Sequence, residues 1–295
     1  MKVKIFFLTI FFICIGNLVF GKNINVITGI LPVKYFVERI AEQNAEVKCL
    51  IPPGANPTTF DLKPSDFVTI KKADVYFVIG VPFERILEKK IKDINSDLKI
   101  IRLYSSVKRI KMKSIYVNKD HRLKENNDTE FFDPHIWLSP TLVKIILMDI
   151  RDLFISIDPE HMDMYNKNYL EFKKEIDNLD KDLIDIFSNL KNKYFIVFHP
   201  SWGYFAKEYG LVQIPVEVEG KTPSPRELAE LIKFAKQKNI NTIFVQPQFS
   251  KKLAKLIAQR INAKVVEIDP LAENWLVNLK EVGKKISQSL KNKAY

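Results

Sequence analysis

The chain has 295 residues, is 46% hydrophobic and carries a formal net charge of +11 at pH 7. That length and apolar content can bury the cores of two domains of ordinary size, which excludes a disordered or fibrous chain. The 46 Lys and Arg residues are spread along the sequence without a nucleic-acid motif, so they describe a solvated basic surface and no nucleic-acid site.

At the N-terminus, Lys2 and Lys4 precede an apolar run from Ile5 to Phe20, broken only by Gly16 and Asn17. Val19-Phe20-Gly21 offers a small residue for cleavage, so residues 1–21 read as a signal peptide and the mature chain begins near Lys22. An uncleaved anchor is the alternative, and the run is short for spanning a bilayer. Lipid attachment at Cys14 is disfavoured because Phe12-Ile13 precede it where small residues are preferred. Cys49 is then the only mature cysteine, so no intrachain disulfide is expected and the core must hold the fold. Cys49 itself reads as a buried small hydrophobe.

From Asn23 onward short β-rich runs alternate with amphipathic segments, the pattern of α/β lobes built on mainly parallel sheets. Val26–Ile30 reads as a strand, Val33–Gln43 as a helix and Val47–Ile51 as the next strand. A helix starts near Pro64-Ser65, and Val75–Gly80 and Leu98–Tyr104 complete the strands of a first lobe, residues 22–157. Residues 105–132 are polar and lysine-rich, a length of loop that is usually functional or disordered. Ser139-Pro140 starts a helix to about Ile157. Pro159 starts a second helix, with apolar positions from Tyr165 to Leu190 at three- and four-residue steps. At ~1.5 Å per residue it would be roughly 50 Å long, so residues 158–192 are expected to link two lobes. The second lobe, residues 193–295, repeats the layout. Strands at Tyr194–Phe198, Val212–Val218, Thr242–Val245 and Lys264–Ile268 alternate with helices from Trp202, Pro225, Ser250 and Glu273.

Ligands of open parallel sheets bind beyond the carboxyl ends of the strands. His199 and Asp269 each follow a predicted strand of the second lobe on that edge, and His135 would face them from the first lobe. Two imidazoles and a carboxylate suit tetrahedral zinc, with manganese or iron less well matched. Asp133 stands where it could fix an imidazole. His161 reads as solvated, and His121, in the lysine-rich loop, could capture metal transiently. A lone histidine in such a fold is also often structural, so spacing alone leaves both readings open.

Nearly the whole mature chain resembles the solute-binding proteins of zinc and manganese ABC importers. The resemblance rests on Gly29-Ile30-Leu31-Pro32, Pro52-Pro53-Gly54-Ala55-Asn56-Pro57 and Lys63-Pro64-Ser65-Asp66 in the first lobe. It continues through Asp133-Pro134-His135-Ile136-Trp137, His199-Pro200-Ser201-Trp202-Gly203, Gln246-Pro247-Gln248-Phe249-Ser250 and Asp269-Pro270-Leu271. It implies two α/β lobes joined by one long helix, with His135, His199 and Asp269 on three metal-ligand positions. A histidine at the third family position resembles the zinc branch, since the manganese branch usually has glutamate there. The departure is Thr58, where the family has its first histidine. A hydroxyl is a poor zinc ligand, so the fourth place falls to water or to His121.

The function this implies is capture of a divalent metal, zinc before manganese, outside the cytoplasm, by a monomer that delivers it to an ABC importer permease and is not an enzyme. One alternative is a degenerate member that acts through a protein partner without tight metal binding. Another is a zinc hydrolase using the open water position, for which Glu217 or Glu219 would have to be the base.

Overall fold

The computed structural model of the protein describes residues 23–112, 132–217 and 221–291. The expected signal segment with Cys14, most of the 105–132 stretch with His121, and Glu219 lie outside the described residues. The first lobe runs β1 (Ile24–Thr28), α1 (Leu31–Ala41), β2 (Ala45–Cys49), α2 (Pro64–Lys72), β3 (Val75–Val78), α3 (Pro82–Ile94) and β4 (Lys99–Arg102). Helices α4 (Pro140–Ile157) and α5 (Met162–Phe187) follow. The second lobe runs β5 (Tyr194–Val197), α6 (Gly203–Glu208), β6 (Val212–Pro215), α7 (Pro225–Gln237), β7 (Thr242–Val245), α8 (Lys251–Ile261), β8 (Lys264–Glu267) and α9 (Trp275–Lys291).

Each lobe is a four-stranded, wholly parallel sheet, ordered β2-β1-β3-β4 in the first and β6-β5-β7-β8 in the second. β3 and β7 are buried at every residue, as expected of strands covered by helices on both faces. Strand order reverses between β1 and β3 and again between β5 and β7. Each reversal opens a crevice at the carboxyl edge of its sheet.

Most expected elements are present with ends shifted by one to three residues. Helix α3 is the one that the sequence reading does not name; it buries Phe83, Glu84, Leu87 and Ile91. The long helix is shorter than expected. Pro159–His161 form a separate 3-10 turn, and α5 spans 26 residues, about 39 Å. Its buried stripe is the expected one: Tyr165, Tyr169, Phe172, Ile176, Leu179, Leu183 and Phe187. Leu190 is also buried, but from the turn beyond the helix, so its burial did not require helix there.

Helix α5 packs against α1 and α4 of the first lobe and α9 of the second. One hydrophobic core therefore runs through both lobes, with Phe36 edge-on to Trp275 at 5.3 Å between ring centroids. A second cluster, including Ile196, Leu231, Ile243 and Ile257, belongs to the second lobe alone. Two buried indoles cross-link the halves: Trp137 Nε1 donates to Pro270 O and Trp275 Nε1 donates to Trp137 O, each at 2.7 Å. Among the described residues no helix is long and apolar enough to cross a membrane.

Candidate metal centre

His135 enters the site on an Asx turn. The buried Asp133 carboxylate accepts the backbone N–H of His135 at 3.0 Å through Oδ1, and the same oxygen lies 2.7 Å from His135 Nδ1. Tyr204, from α6, donates its hydroxyl to Asp133 O at 3.1 Å and ties this turn to the second lobe. Gly203 lies beside it: a Cβ there would stand 2.5 Å from Asp133 Oδ2.

His199 stands just past β5, at the reversal between β5 and β7. Gln246, fully buried after β7, pins that loop. Its Oε1 accepts the N–H of His199 at 3.2 Å, and its Nε2 donates to His199 O at 2.7 Å and to Ser201 Oγ at 3.0 Å. Glu217 continues from β6, its N–H donating to Phe198 O, and its Oε2 lies 2.7 Å from His199 Nδ1. The ring of Phe249 stacks on the His199 imidazole at 4.8 Å. Burial pushes the His199 pKa below its usual value, opposed by the hydrogen bond that its ring donates to Glu217.

The two imidazoles meet edge to face, 5.4 Å between centroids, although 64 residues separate them in sequence. Both rings line a cavity of about 210 Å³. Each ring engages a carboxylate through Nδ1, which leaves Nε2 as the nitrogen able to bind a metal and makes that nitrogen a better donor. Thr58 also lines the cavity, its hydroxyl donating to Asn56 Oδ1 at 2.7 Å.

Asp269 is placed differently. Its Oδ1 accepts from Gln248 Nε2 and from Leu271 N, each at 2.9 Å, while its neighbours Pro270 and Leu271 line the cavity. Among the described residues no three His, Cys, Asp or Glu side chains converge on one metal position. His161 is exposed and pairs with Asp158 at 2.8 Å, away from the cavity. Cys49 is half-buried, with its thiol donating to Ile51 O and pushed up to about 12 by burial, so it is not a ligand in waiting.

Sequence reasoning placed the two imidazoles and the orienting Asp133 but missed the parts that only folding assembles. Glu217 appeared there as a possible base; it is bound to the far nitrogen of His199 and orients that ring. Gln246 and Phe249 belong to a phrase already noticed, yet nothing in one dimension says that they hold and cover His199.

Residues 26–288 match the family model described as zinc-uptake complex component A, periplasmic (ZnuA). The high-affinity zinc uptake system protein ZnuA of Bacillus subtilis (strain 168) is 28% identical over 253 residues, covering 85% of this chain and 79% of that protein. A crystal structure of ZnuA superposes with a TM-score of 0.84 at 37% identity, over 92% of this chain and all of that one. The laminin-binding protein Lmb of Streptococcus agalactiae, described as bifunctional with adhesin and metal-transporting activity, superposes with a TM-score of 0.78 at 25% identity, over 92% of this chain and all of that one. The chain therefore belongs to the ZnuA family, the periplasmic component A of zinc-uptake complexes, whose members are metal-binding transport proteins and not enzymes.

Proposed function

We propose that this protein captures a divalent metal ion, zinc before manganese, outside the cytoplasm and delivers it to the permease of an ABC importer. Residues 1–21 act as the cleaved signal, and the mature protein works as a monomer. The observation that carries the reading is the pair of imidazoles, one from each side of a cavity between the lobes, each fixed by a carboxylate on Nδ1.

His135 and His199 supply two nitrogens. Asp269 is the third ligand, reached when its carboxylate turns from Gln248 toward the cavity wall that Pro270 and Leu271 already form. Neutral imidazoles and one carboxylate cancel only part of the ion's charge, and protons compete for the same nitrogens. The shared core limits how far the halves can part, so opening is a small tilt around α5 rather than a wide hinge.

The test is a zinc titration of chelator-stripped protein against a competing indicator, with His135→Ala and Asp269→Ala alongside. Stoichiometric binding tighter than ~1 μM (about −8 kcal/mol), lost in His135→Ala and weakened in Asp269→Ala, is the expected result. Zinc binding indifferent to His135 would overturn the site.

A further inference from the structure

The cavity is larger and more apolar than one metal ion calls for. Its volume of about 210 Å³ is an order of magnitude above the ~10–15 Å³ that admits one water by the same measure. Apart from the imidazoles it is walled mainly by apolar side chains, among them Val81, Met112, Phe132, Phe249 and Leu271. Arg85, in the first turn of α3, also lines it and is paired with no carboxylate among the described residues. Thr58, on the same wall, offers a neutral hydroxyl already donated to Asn56.

These facts leave room for a second ligand beside the ion. The three proposed ligands leave one position of a tetrahedral zinc open. Arg85 is exposed at the rim of this cavity, so its guanidinium is free to pair with an anion that takes the open position. Asp133 and Glu217 cannot serve, because each is committed to an imidazole Nδ1.

Resting on the reading above, we propose that zinc is held together with a small organic monocarboxylate. One carboxylate oxygen takes the open position beside Thr58, and the carboxylate pairs with the Arg85 guanidinium, which suits it geometrically. The hydrocarbon body lies against Phe132, Phe249 and Leu271. The cargo would then be a ternary complex, and a carboxylate with an apolar body would be preferred over one without.

The test uses the chelator-stripped full chain, with free zinc held constant by a metal buffer and benzoate or acetate added as probes. Benzoate is expected to raise zinc affinity by about tenfold or more, acetate by much less. Native mass spectrometry should show one zinc and one benzoate per chain. Arg85→Gln, an exposed position whose folding is checked by circular dichroism, should lose the benzoate-dependent gain. Zinc bound with unchanged affinity and no benzoate adduct would overturn this inference and leave metal capture standing. Zinc bound in neither the presence nor the absence of benzoate would overturn both.

Discussion

Two side chains decide how the site responds to pH and to substitution. Glu217 fixes His199 through Nδ1, so Glu217→Gln, which keeps the size but loses the charge, should weaken zinc binding about 10–100-fold. The same competitive titration checks it, with an unaltered affinity assigning Glu217 to packing alone. Because burial holds the His199 pKa below 6.5, its ring remains neutral and metal-competent to lower pH than an ordinary imidazole. The folded state binds that proton less readily than the unfolded chain, so its contribution to stability is present above pH 6.5 and falls as the pH drops below it.

Glu84 carries the opposite sign. It is fully buried, its Oε2 accepts the N–H groups of Ile79, Gly80 and Val81, and burial pushes its carboxyl up to about 8. Folded protein keeps the proton that the unfolded chain loses near 4.5, so this contribution is present below 4.5 and is lost as pH rises toward 8. The slope reaches at most about 1.4 kcal/mol per pH unit. Glu84→Gln, which mimics the protonated form, should flatten the melting-temperature profile between pH 5 and 8. Parallel profiles for the two proteins would show that Glu84 is not the group responsible.

At the scale of elements, the loop after β5 is held by Gln246 as if by a further rung of the sheet. Gln246→Ala strands the His199 N–H, while the His199 C=O keeps the N–H of Ser201, and a buried group left unpaired costs about 1–3 kcal/mol. Denaturant unfolding should report a loss of that order, and zinc affinity should fall with it because the imidazole loses its platform. Stability reduced with affinity intact would separate the loop from the ligand. On the facing element, the N-terminus of α6 approaches Asp133 so closely that a Cβ at 203 would meet its carboxylate. Gly203→Ala is expected to displace the Asp133 carboxylate from His135 and to weaken zinc binding without unfolding the lobe, as near-unchanged circular dichroism would confirm. The buried stripe on α5 was readable because period and burial agree, whereas α3 went unnamed although Phe83, Leu87 and Ile91 recur at steps of four. Its exposed positions are crowded with charge, Arg85, Lys89, Lys90 and Lys92 among them, and its apolar face is correspondingly narrow.

For the whole molecule, the decisive feature is the core that passes from α1 through α5 to α9. Halves that share Phe36, Phe172 and Trp275 should unfold together, so calorimetry is expected to show one main transition where independent lobes would give two. Because the proposed ligands come from both halves, zinc at 100 times its dissociation constant should add about 2.7 kcal/mol and shift that single transition upward. Zinc raising only the later of two transitions would place the metal within one half.

What the sequence determined by itself was local or periodic. Alternation of β-rich runs with amphipathic segments announced two parallel α/β lobes, the α5 stripe announced its own burial, and Asp133 sits two residues from the imidazole it fixes. His199 and Asp269 were legible as edge residues because residues after strands gather at one edge of such a sheet, whereas His135 follows no strand among the described residues. The contacts that make a site of them were not. Glu217 reaches His199 across 18 residues, Gln246 across 47, and the two imidazoles meet across 64. Such meetings depend on strand order and on how the halves dock, and neither leaves a trace in residue spacing. Tertiary structure alone also turned the Asp269 carboxylate toward Gln248 and set Arg85 on the cavity wall, because side-chain direction follows from packing once the backbone is placed.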